Sequence, residues 1–190
     1  MTFSVNKLCC IYTVHHCTFI VHYAILNSIS FASKFKLYKS LATSILLYVC
    51  ETWTLLADSE IRIQAFETKC LMKLLLTSYS EHKTNDWVRS KISFFAGPQE
   101  PLLATVKRRK LAWFGHVTRH DSLSKTILQG TLENGRRLGR QKNCWMDNIK
   151  EWTSLPMPEL LTRAFCRKDW KRIPAESSLM FRRRPNRSRD

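Results

Sequence analysis

Three kinds of site chemistry are missing from this sequence. No two of its seven cysteines stand in a C-x-x-C pair, which excludes the common zinc ribbons and dithiol redox motifs. Its six aspartates, Asp58, Asp86, Asp121, Asp147, Asp169 and Asp190, are never adjacent. The chain thus carries no carboxylate cluster of the kind that holds two divalent metals in polymerases and nucleases. No G-x-x-x-x-G-K-[ST] loop is present either, because GRRLGRQK at 135–142 has glycines at the wrong spacing and no final hydroxyl. A G-x-S-x-G nucleophile elbow is also absent. These gaps argue against an enzyme working alone, and the expected cofactor set is none. There is no internal repeat and no sustained strand-type alternation, so the expected fold is mostly α: small helical modules joined by basic loops.

Residues 8–32 lack charge of either sign. The stretch has the length of a membrane span, but His15, His16, His22, Asn27 and several hydroxyls interrupt it. No small-residue cleavage site closes an apolar run, so a secretory signal does not fit. Its CC-x4-HH-C-x4-H cluster matches no standard zinc spacing. Residues 1–36 therefore read as a poorly ordered apolar leader, and the chain as an intracellular protein of nucleus or cytoplasm. Cys50, Cys70, Cys144 and Cys166 sit among apolar residues and read as reduced core thiols.

What is abundant is positive charge. Thirty-one Lys and Arg face 15 Asp and Glu, a net charge of +16 that points to polyanionic partners. The excess is uneven. Residues 41–100 carry six cations against seven acids, whereas 101–150 carry eleven against three and 151–190 ten against five. The tail FRRRPNRSRD, residues 181–190, has little to bury and reads as disordered until an anion binds it.

Helical periodicity begins near Leu37. LYKSLATSILLYVCETW is an apolar run of helical length. In ADSEIRIQAFETKCLMKLLLTSY a stripe of Ile63, Phe66, Cys70, Leu71, Leu74 and Leu75 leaves Arg62, Glu67, Lys69 and Lys73 mostly outside it, with Asp58 as the expected N-cap. Thr84 is placed to cap a short helix through Trp87 and Ile92, and FAGPQEP at 95–101 reads as a linker. Beyond Pro101, Leu103, Val106, Trp113, Phe114 and Val117 form an apolar face. Trp145, Ile149 and Trp152 form another, and PMPELLTRAFCRKDWKRI continues with Cys166, Trp170 and Ile173 at the same spacing behind Pro158. The expected modules are 37–96 and 97–176, followed by a poorly ordered tail at 177–190.

Two clusters carry the candidate chemistry. Lys107, Arg108, Arg109 and Lys110 cover one full helical turn, so one or two of them must face the packed side unless that side meets a phosphate backbone. Arg136, Arg137, Arg140 and Lys142 follow in a glycine-punctuated loop. All eight are the expected phosphate contacts to RNA or DNA. Trp113 and Phe114 lie on the apolar stripe and read as core, not as base-stacking platforms. His116 and His120 have the i, i+4 spacing of zinc-binding helices, but the accompanying Glu and a third ligand are missing, so they read as a polar helix face and no metal is expected.

Three co-linear blocks go further. LLYVCETWTL at 46–55, RRKLAWFGHVTRHDSLSKTILQGTLE at 108–133 and GRRLGRQKNCWMDNIKEW at 135–152 resemble the C-terminal region of the endonuclease–reverse transcriptase encoded by non-LTR (LINE-type) retrotransposons. The resemblance runs over residues 37–190. It implies that the first block belongs to the thumb or just beyond it, and the later blocks to a basic post-thumb region. The intact family enzyme nicks target DNA and primes reverse transcription from the nick. This sequence holds neither the endonuclease domain nor the fingers and palm, so the resemblance implies a catalytically inert product with residual, non-specific binding of RNA or DNA.

The departures from the family pattern are specific. Val49 stands where the family has Gly, removing a permissive backbone position. Asn134, Leu138 and Asn143 replace Gly or cations, and Gln141 replaces the Pro that follows Gly-Arg. A flexible phosphate-binding loop fits better than minor-groove sequence readout. Two other readings are a translated transposon fragment without function, and a membrane-anchored basic protein with residues 8–32 as the anchor; membrane association is the less expected outcome.

Overall fold

Helices begin earlier than the family resemblance does. The computed structural model describes residues 30–120 and 145–179, with side chains in the last stretch as far as Ile173. The leader up to Ile29, the loop cations Arg136, Arg137, Arg140 and Lys142, the thiol of Cys144 and the arginine-rich end lie outside the described residues. Every described element is helical, and no strand occurs among them. The chain divides into two compact units, one ending at Thr105 and the other starting at Val106.

In the first unit, α1 (Phe31–Leu37) starts behind Ser30, whose Oγ accepts from the Ser33 amide at 3.4 Å. Phe35 is buried, and the Phe31 ring lies 5.0 Å from that of Phe95, so residues assigned to the leader belong to the fold. A π-helical turn (Tyr38–Thr43) and α2 (Ser44–Leu47) carry the run on. The helix stops sooner than the apolar run predicts. Tyr48 is extended and Val49 takes φ 55°, ψ 22°, the left-handed region that a β-branched side chain resists.

α3 (Ala57–Leu74) buries Ile63, Phe66, Cys70, Leu71 and Leu74, the expected stripe. Its N-cap is Leu56 with no side-chain bond, so Asp58 lies inside the first turn with Glu60 and acts on the helix dipole instead of as a cap. Glu67, expected outside the stripe, is buried; its Oε1 accepts the Leu102 amide at 2.9 Å. α4 (Asn85–Ala96) is capped by Thr84, whose Oγ1 accepts from Trp87 N at 3.2 Å. Gly97, at φ 78°, ends it in a conformation that costs glycine little.

α5 (Leu102–Arg119) gives its first residues to the first unit and the rest to the second. There it packs with α6 (Trp145–Thr153), α7 (Met157–Phe165) and α8 (Arg167–Leu179) around Leu111, Phe114, Ile149, Leu160, Ala164 and Trp170. Trp170 Nε1 donates to the Leu111 carbonyl at 3.0 Å, and the indole lies so close to Gly115 that a Cβ there would overlap it. One helix was expected from Pro158 to Ile173. The chain instead breaks at Cys166 (φ −81°, ψ 102°), whose side chain is exposed. Cys166 is thus not a core thiol, whereas Cys50 and Cys70 are buried. The break lets Trp170 and Ile173 face the core on a second helix axis.

Candidate nucleic-acid interface

The basic turn of α5 is split by packing. Arg108 and Arg109 are exposed, as one side of a helix must be when the other is buried. Lys107 is half-buried, with its Nζ 5.0 Å from the centre of the Trp152 ring. Lys110 is fully buried: its Nζ donates to Asn148 Oδ1 at 2.7 Å and lies 4.6 Å from the Trp145 ring centre and 5.3 Å from that of Trp152. An ammonium held this way is enclosed by two aromatic faces and a buried amide oxygen. Lys110 therefore cannot reach a phosphate, which corrects its place among the expected contacts. The expectation that part of the turn must face inward holds, and the inward side meets indoles.

The aromatic residues serve the same assembly. Phe114 is buried 5.3 Å from Trp170, and half-buried Trp113 meets Trp145 edge-on at 5.3 Å. These contacts knit α5, α6 and α8 together. Asn148, which receives the Lys110 ammonium, was not singled out by sequence reasoning. It lies one residue before Ile149 on the α6 stripe, and only the three-dimensional pairing gives it a role.

Further cations lie outside the two sequence clusters. On α8, Arg167, Lys168, Lys171 and Arg172 are all exposed while Trp170 and Ile173 are buried between them. The signal was available: alternating charges and core aromatics in RKDWKRI mark an amphipathic helix with a cationic outer face. Arg119 is engaged internally, its Nη1 donating to the Ala164 carbonyl at 2.7 Å. Arg163 pairs with Glu159 at 2.6 Å on the surface of α7, a contact of small energetic consequence.

The two units differ electrostatically. Residues 106–190 hold 21 Lys and Arg against 8 Asp and Glu (+13), and residues 1–105 hold 10 against 7 (+3). In the first unit, burial pushes the Glu67 carboxyl upward against the opposing pull of the Leu102 amide, Arg89 and Lys39.

Among the described residues, no three of His, Cys, Asp and Glu gather as a ligand set, and no helix is long and apolar enough to cross a membrane. No protein-family profile, curated protein or solved structure matches this chain.

Proposed function

We propose that this chain derives from the thumb and post-thumb region of a non-LTR retrotransposon endonuclease–reverse transcriptase, and that its activity is electrostatic, sequence-independent binding of RNA or DNA. The observation that carries the reading is the concentration of charge: +13 of the +16 lies from Val106 onward, with Arg108, Arg109 and the α8 cations Arg167, Lys168, Lys171 and Arg172 exposed there. Such a surface attracts a phosphate backbone by releasing its counterions, without needing to read bases. The three sequence blocks at 46–55, 108–133 and 135–152 support the retrotransposon origin. The second and third also hold Arg108 and Arg109 and the loop cations Arg136, Arg137, Arg140 and Lys142. In this reading the chain's own part is binding.

The test is a salt titration of fluorescence anisotropy with the full chain and short labelled single-stranded RNA or duplex DNA. The expected log–log slope corresponds to roughly four or more phosphate contacts. Arg108→Ser with Arg109→Ser should flatten it by about 0.9 per lost contact on duplex DNA and about 0.7 on a single strand. Weak binding with an almost flat salt dependence overturns the reading.

A further inference from the structure

His116 and His120 have no part in the phosphate surface, yet their geometry is specific. They lie one turn apart at the C-terminal end of α5, where the His120 amide still bonds the Val117 carbonyl at 3.3 Å. Both are exposed, and their ring centres are 4.5 Å apart with planes at 47°. A metal bound to imidazole nitrogen at roughly 2.0–2.1 Å sits about 3 Å from the ring centre. Two rings 4.5 Å apart are therefore spaced to share one ion at adjacent coordination positions. Arg119, the cation between them in sequence, is turned into the fold by its bond to Ala164. The last carbonyls of α5 also present the negative end of the helix dipole, which favours a cation.

We propose that His116 and His120 form a two-imidazole clamp for a divalent transition-metal ion such as nickel, copper or zinc, with water or a bound partner's donor completing the coordination. Nitrogen ligands select these ions over magnesium and calcium, which take oxygen. Val117 stands where a metallopeptidase helix has its general base, so the clamp binds an ion and does not activate water for hydrolysis. The site is independent of the nucleic-acid reading.

The probe is nickel(II) alone, titrated calorimetrically into the full chain. The variants are His116→Asn, His120→Asn and, as a control at an exposed histidine elsewhere, His82→Asn. All three positions are exposed, and His82 already has a positive φ of 47° that Asn tolerates, so unchanged helical circular dichroism is the check on folding. The expected result is that His116→Asn and His120→Asn each weaken nickel binding by more than about tenfold while His82→Asn leaves it unchanged. Parent-like binding by either α5 variant, an equal loss in His82→Asn, or no nickel binding by the parent overturns the proposal.

Discussion

Truncating Lys110 to alanine tests whether this cation is structural. The substitution removes a charge-assisted hydrogen bond 2.7 Å long to Asn148 and the placement of an ammonium over Trp145 and Trp152. The bond contributes roughly 1.5–3 kcal/mol, and the desolvated cation–π contact adds about 2 kcal/mol. Asn148 would lose that donor while buried, and the emptied lysine stem would leave a void in a closely packed core. These terms overlap, so the expected loss is about 3–5 kcal/mol, a large share of the roughly 5–15 kcal/mol that holds a domain folded. Lys110→Met keeps the stem and should lose less, about 2 kcal/mol. Urea unfolding followed by tryptophan fluorescence reads both, because Trp145 and Trp152 border the substituted group. A second arm separates packing from binding. At a urea-free temperature where Lys110→Met remains folded, its salt slope on RNA should equal the parent's. Lys110→Ala within about 1 kcal/mol of the parent, or a flattened slope in Lys110→Met, would refute the buried-cage reasoning.

Two further substitutions follow from backbone and burial. Val49→Gly should raise stability by about 1 kcal/mol, since it relieves a β-branched side chain of a left-handed φ of 55° and the side chain is substantially exposed; a lower midpoint in urea would count against that account. Glu67→Gln should change the pH profile of stability. Burial raises the Glu67 pKa on folding, so its favourable contribution is complete below the ordinary carboxylate range and is lost as the pH rises through the elevated folded value. The neutral amide lacks this descent. The stability difference between variant and parent should therefore shift in favour of Gln as the pH rises above the ordinary carboxylate range, and parallel pH profiles would rule the mechanism out.

Local patterns revealed much of the fold and less of the interface. The stripe of α3, the Thr84 cap, the break at Gly97 and the faces around Phe114 and Ile149 all follow from periodicity and capping chemistry within one element. Features that need a distant partner were illegible. Glu67 looks like a solvent-facing acid until Leu102, 35 residues later, meets its carboxylate. Lys110 looks like one more cation in a run until the α6 indoles enclose it. The Cys166 break was hidden because Cys166, Trp170 and Ile173 suit one continuous helix; only the docking of Trp170 against Leu111 and Gly115 shows that a new axis is required.

The hydrogen bond from Leu102 to Glu67 decides where this protein can be cut. Composition invites a boundary at Gly97–Pro101, but a fragment starting there would deprive the first turn of α5 of the Glu67 carboxylate and leave it open to fraying. A cut at the division between Thr105 and Val106 would sever α5 itself. The shortest expression clone that keeps the basic helices on an intact α5 therefore begins at or before Ala57, carrying α3 along as the source of the cap.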